Sequence, residues 1–202
     1  MADDETPQDD AEPGEDQELE APEPLDPEVV ARREAALRHV RRFGDPILKS
    51  KAAPVTVFDE ALQIEVAEMA RIMSDALGIG LAANQIGRLR RVLVYRVEED
   101  SPVQALVNPV IEWSSKDEEW FEEGCLSLPS VHVDVERPVH VRVRAQDVDG
   151  DEIHVEASGL EARVIQHELD HLDGVLILDR TPRDQRKDAM RSLRELDGEA
   201  AA

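Results

Sequence analysis

Apolar residues between Phe58 and Leu77 fall at Leu62, Val66, Met69 and Met73, with Ile72 and Ala76 beside them, while Glu60, Glu65, Glu68 and Arg71 take other directions. Spacings of 4, 3 and 4 place the first set on one side of a helical period, which predicts an amphipathic helix with one core face, broken by Gly78 and Gly80. Upstream, residues 29–42 (VVARREAALRHVRR) are rich in good helix formers and predict another helix, stopped by Gly44-Asp45-Pro46. Beyond the two glycines the pattern changes. Residues 91–97 and 105–111 are rich in Val and Leu, and residues 131–136 alternate apolar with polar, so all three predict strands. Val139, Val141 and Val143 face away from His140, Arg142 and Arg144, and Asp149-Gly150 then precedes Ile153 and Val155, which predicts a hairpin.

A further helix is predicted after Gly159, running to about Leu172, with Gly174 as its stop signal. It carries two apolar stripes: Ala162, Ile165, Leu169 and Leu172 form one, and Leu160 and Val164 continue into His167 and His171 as the other. A helix apolar on two sides belongs between layers, so its histidines and Glu168 are expected inside the protein or on the floor of a cleft. Residues 182–197 predict a last, terminal helix. Helix, strands and helix in this order predict an α+β fold with largely antiparallel sheets packed around a central helix.

Charge divides the chain. Of its 202 residues, 46 are acidic and 23 are Lys or Arg, for a formal net charge of −23. Residues 1–28 hold 13 of those acids, no Lys or Arg, and almost no apolar content, so they are expected to be a disordered acidic tail. The balance rules out a polybasic DNA-binding protein. The tail lacks the basic and apolar regions of a secretory signal, and apolar runs such as residues 175–178 are too short to span a bilayer. A cytoplasmic protein without a membrane partner is therefore expected. Cys125, the only cysteine, excludes an internal disulfide.

The candidate chemistry centres on His167-Glu168-Leu169-Asp170-His171. Two histidines at i and i+4 share a helix face and can reach one cation, and Glu168 can address a water on that cation; a chance pair on an exposed helix is the plain alternative. A third ligand is required. The continuation that would supply a third histidine has Ile177 in its place. Cys125, in a turn expected between Gly124 and Pro129, is either buried filler or a thiolate ligand, and its acidic neighbours disfavour a free nucleophile. The alternating Asp147, Asp149 and Asp151 lack the glycine and glutamate of a calcium loop, so they read as turn residues. Gly78-Ile79-Gly80 permits close backbone approach but does not match a dinucleotide fingerprint.

Taken together, GIGLAANQ (78–85), EGCLS (123–127) and QHELDHLDG (166–174) closely resemble the three signature motifs of the peptide deformylase family. The resemblance spans about residues 40–180, and with the charge pattern it divides the chain into the disordered acidic tail (1–28), a catalytic domain (29–181) and a C-terminal helix and tail (182–202). It implies removal of the formyl group from the N-terminal formylmethionine of new polypeptides. It also implies one divalent metal ion per chain held by Cys125, His167 and His171, iron(II) first, with zinc, nickel or cobalt as alternatives. Glu168 would act as general base and then general acid, and Gln85 and the backbone N–H of Leu126 would face the developing oxyanion. Backbone near Gly78 and Gly80 is expected to pair with the extended peptide, with Ile79, Leu126 and Val164 around the methionine pocket and Gly124 and His132 beside it. His132 stands where many relatives have arginine near the cleft, and since it alternates with Val131 and Val133, a solvent-facing strand histidine is its plain alternative.

Two other functions fit some of these residues: a metallopeptidase that uses the same water and Glu168, and a non-catalytic relative that only binds nascent chains or ribosomes. Arg180, Arg183, Arg186, Lys187, Arg191 and Arg194 against Asp184 and Asp188 leave residues 180–194 locally basic. The terminal helix is thus a candidate ribosome contact, or simply a solvated helix face.

Overall fold

The computed structural model describes residues 25–200. The disorder expected of the acidic tail falls, for residues 1–24, outside the described residues. Helix α1 (Pro27–Leu37) opens with Asp26 accepting a 2.7 Å hydrogen bond from the Glu28 N–H, and Pro27 at its first position needs no acceptor. It therefore starts inside the stretch assigned to the tail and ends five residues before the expected 42. Its end is set by tertiary bonds: the Arg41 N–H donates to the Gln85 carbonyl at 2.6 Å and the Phe43 N–H to the Ser127 carbonyl at 2.8 Å. Helix α2 (Glu60–Asp75), capped by Asp59, buries Leu62, Met69, Ile72 and Met73 as the periodicity predicted. Glu65 departs from the pattern. It is buried and accepts a 2.8 Å bond from Arg90.

Seven strands follow in chain order, β1 (Gly80–Ala82), β2 (Val92–Tyr95), β3 (Gln104–Ser114), β4 (Glu118–Cys125), β5 (Leu128–Pro138), β6 (His140–Gln146) and β7 (Glu152–Ser158). They form a five-stranded sheet in the order β1-β2-β3-β6-β7 and a separate β4–β5 hairpin, with every pair antiparallel. The β6–β7 turn is the expected one, with Gly150 at φ +93° and the Asp147 carboxylate accepting from the N–H groups of Asp149 and Asp151. Strands β1 and β4 lie where the sequence showed a glycine segment and a turn. Three α-helices follow among the described residues: α3 (Gly159–Leu172), α4 (Ile177–Arg180) and α5 (Arg183–Ala200).

The large sheet is covered on both faces, which is why β2 reads as an unbroken apolar run. Val92 and Val94 pack toward α2, while Leu93 and Tyr95 pack toward Ala162, Ile165, Leu169 and Leu172 of α3. A third cluster joins Val131, Val133 and Val135 of β5 to Ile177 and Leu178 of α4 and to Ala189 and Leu193 of α5. The terminal helix, set apart from the catalytic domain in the sequence, thus shares its core. Helix α3 lies between the large sheet and the β4–β5 hairpin, the central position its two apolar stripes require. No helix among the described residues is long and apolar enough to cross a membrane.

Candidate metal centre and active site

Helix α3 presents His167 and His171 one turn apart, with ring centroids separated by 5.0 Å. The β4–β5 hairpin brings Cys125 to them. Pairing runs regularly to Gly124↔His132 and then shifts register, so that Cys125 faces Leu128 and its side chain is re-aimed; Cys125 ends a strand rather than sitting in a loop. Cys125 Sγ lies 3.2 Å from His171 Nε2, and the ligand atoms of Cys125, His167 and His171 all fall within 4.8 Å of one another. Metal–sulfur and metal–nitrogen bonds of about 2.3 and 2.0–2.1 Å place tetrahedral ligand atoms roughly 3.5 Å apart, so the cluster is the right size for one divalent ion. Thiolate with two imidazoles is also a donor set that suits such ions.

Strand β1 and the short turn after it form the opposite wall. The Gln85 carbonyl oxygen accepts from the Ala82 N–H at 2.8 Å, and this fixes which way its amide points. The amide nitrogen then donates to Ser127 Oγ at 3.2 Å and approaches Cys125 Sγ at 3.6 Å. Asn84 donates to the His171 carbonyl, tying this turn to α3. Gly80 fits a close approach: a Cβ built there would run into the Glu168 carboxylate. Glu168 is 4% exposed and its other oxygen has no hydrogen-bond partner. Burial pushes its carboxyl up to about 7, against the pull of His167 and Arg137.

Behind His167 lies a buried ionic cluster. His167 Nδ1 is 2.9 Å from Glu123 Oε2, and Arg137 forks onto Glu123 at 2.6 and 2.9 Å while donating to Asp170 at 2.8 Å. Arg163 donates to Glu123 at 2.8 Å and Arg180 to Asp170 at 2.6 Å. Burial opposes ionisation of Glu123, but Arg137 and His167 outweigh it and hold its carboxyl far below the usual range. For His167, burial is outweighed by Cys125 and Glu123, which hold it protonated at higher pH than usual in the absence of a cation. Burial, with His167 close by, depresses His171 well below the ordinary histidine range. A carboxylate on the far nitrogen of a ligand histidine fixes its ring and raises its basicity.

A cleft of about 500 Å³ opens over these groups. Gly78, Ile79, Gly80, Gln85, Gly124, Cys125, Leu126, His132, Val164, His167 and Glu168 all line it, whereas His171 is buried beneath the floor. Leu126 also packs in the α2 core cluster, and its Cδ1 would lie 3.0 Å from a Cβ on Gly78. His132 lies over Gly124, its ring 3.1 Å from where a Cβ would be. Sequence reasoning missed Glu123, Arg137, Asp170 and Ser127. Arg137 did leave a signal, for it continues the inward register of Val131, Val133 and Val135, where an arginine demands a buried acid.

An HExxH helix, a cysteine-bearing hairpin and an amide donor around one cation-sized cluster define a metallohydrolase-type centre. The model of the polypeptide deformylase family matches residues 37–187. Peptide deformylase 1 of Corynebacterium glutamicum is 47% identical over 161 residues, covering 79% of this chain and 95% of that protein. The peptide deformylase of Thermotoga neapolitana is 49% identical over 141 residues, covering 70% and 85%. Among solved structures, the Legionella pneumophila peptide deformylase superposes with a TM-score of 0.75 at 37% identity, covering 80% of this chain and 96% of that one. The Synechococcus elongatus peptide deformylase in complex with actinonin gives 0.73 at 40% identity, covering 76% and 85%. The chain belongs to the polypeptide deformylase family, metal-dependent hydrolases that remove the N-terminal formyl group from new polypeptides.

Proposed function

We propose that this chain releases formate from formylmethionyl peptides at a divalent ion held by Cys125, His167 and His171, with Glu168 as the proton-transfer group. The observation that carries this reading is the buried, partly unpartnered Glu168 carboxylate beside a Cys-His-His cluster within 4.8 Å. When bound, the ion supplies Lewis acidity to the attacking water and the formyl group. Glu168 takes a proton from the water and returns it to the departing methionine nitrogen; a carboxyl near neutral suits both steps. The Gln85 amide and the Leu126 N–H donate to the formyl oxygen as it gains negative charge, and losing one such donor costs about 100- to 1,000-fold in turnover. Glu123 keeps the His167 ring in orientation.

The peptide lies along the backbone of residues 78–80, with the methionine side chain among Ile79, Leu126 and Val164 and the following residues near Gly124 and His132. Iron(II) is the proposed native ion, with zinc, nickel and cobalt as substitutes, and metal analysis of anaerobically purified protein tests that choice. The proposed location is the cytoplasm. The basic residues of α5 face outward while Ala189 and Leu193 face the core, which supports α5 as a ribosome contact. Reversing Arg183, Arg186 and Lys187 to Glu should then reduce co-sedimentation with ribosomes; equal binding removes that idea.

Formate release from formyl-Met-Ala-Ser by the metal-replete protein tests the main reading. Glu168→Gln should abolish release while keeping the metal, and Cys125→Ala should lose both. Absence of formate from metal-replete wild-type protein overturns the reading.

A further inference from the structure

Helix α1 falls, except for Leu37, outside the residues matched by the family model, yet Arg33 and Leu37 line the active-site cleft. The two sit one turn apart on the same helix face. That face is the inward one: Val29 and Leu37 are partly buried, Ala36 is buried, and Leu37 joins the cluster that includes Leu126. Arg33 is itself exposed but shares that register and lines the cleft at its rim. The neighbouring Arg32 points elsewhere and pairs with Asp75 at 3.6 Å.

Most other charges on the cleft are committed. Arg163 is held by Glu123 and by the backbone carbonyls of Val135 and Glu119, while Glu123 and His167 are paired and Glu168 serves the chemistry. Arg33 has no ion-pair or hydrogen-bond partner among the described residues. Glu122 stands exposed on the β4 rim, so the two rims differ in sign.

We infer that α1 forms a wall of the peptide cleft and that Arg33 selects formylated peptides with an acidic side chain at the second or third residue. This rests on the proposed deformylation at the same cleft. The contact is made with bound substrate and is largely the same in the transition state, so it acts through KM rather than kcat.

The test compares kcat/KM for C-terminally amidated formyl-Met-Asp-Ser, formyl-Met-Lys-Ser, formyl-Met-Ala-Asp and formyl-Met-Ala-Lys on metal-replete full-length protein. Arg33→Ala should lower the Asp-to-Lys ratio about two- to fivefold at one of the two positions, as expected of a partly exposed ion pair. Arg33→Glu should carry the ratio further in the same direction, and raising salt from about 50 to 300 mM should shrink the difference. Arg32→Glu makes the same change in net charge off the cleft and should leave the ratio alone. An unchanged ratio in Arg33→Glu, or an equal shift in Arg32→Glu, overturns the inference. Formate release from amidated formyl-Met-Ala-Ser by wild-type protein tests deformylation separately, so failure of one reading is distinguishable from failure of the other.

Discussion

Two buried glutamates stand on opposite sides of His167 and have opposite environments. Glu123, on the hairpin side, is enclosed by Arg137, Arg163 and His167 and stays ionised. Glu168, on the β1 side, is pressed against Gly80 with one oxygen unpartnered, and burial raises its carboxyl toward neutrality. The same functional group becomes a fixed counter-charge in one place and, in the proposed reaction, the proton carrier in the other, because the first is paired and the second only desolvated. Identity of the side chain decides neither role.

The largest effect is expected on breaking the paired side. Glu123→Ala leaves Arg137 and Arg163 buried with an anion removed, and should cost about 3–5 kcal/mol in urea unfolding. It should also weaken metal retention about 10- to 100-fold, since His167 loses its supporting carboxylate. A loss below about 1 kcal/mol would mean that water has replaced the carboxylate.

A smaller stability effect with a large activity effect is expected on the other side. Gly80→Ala drives a methyl group into Glu168, which should cost about 1–3 kcal/mol as overpacking. Displacing the carboxylate by about 1 Å should lower kcat for formate release on the order of 100-fold. Near-normal turnover in a folded, metal-replete variant would show that Glu168 needs no such confinement. The smallest effect belongs to the outer end of the ionic cluster. Arg180 is 46% exposed and donates to Asp170, which Arg137 also neutralises. Arg180→Ala should therefore cost only about 1 kcal/mol with metal content unchanged.

Much of this arrangement was legible locally. The 4-3-4 spacing of α2, the β6–β7 hairpin around Asp149-Gly150 and, apart from the exposed Leu160, the double stripe of α3 appear where the chain pattern puts them. Strand β4 was not legible, because its outer positions through Glu122 are all exposed and carry no apolar alternation. Helix α1 ended early because hydrogen bonds to Gln85 and Ser127, each more than 40 residues away, outweigh the helix propensity of residues 38–42. Glu65 shows the same limit in reverse: expected to point away from the core, it is buried, and Arg90 and Arg88 from a distant segment pair with it there.

The sequence by itself determined that His167 and His171 share one helix face with Glu168 beside them, since a helical period makes that inevitable. It also carried, in three short motifs, a resemblance that the comparisons bear out. Tertiary structure alone decided that Cys125 arrives at those histidines through a register shift, that Gly80 confines Glu168, and that Arg137 anchors Glu123 behind His167. Helical and strand periods relate residues a few positions apart. Which distant segments meet depends on how the sheet, the hairpin and α3 bury their apolar faces together, and that packing assigns each buried charge its partner.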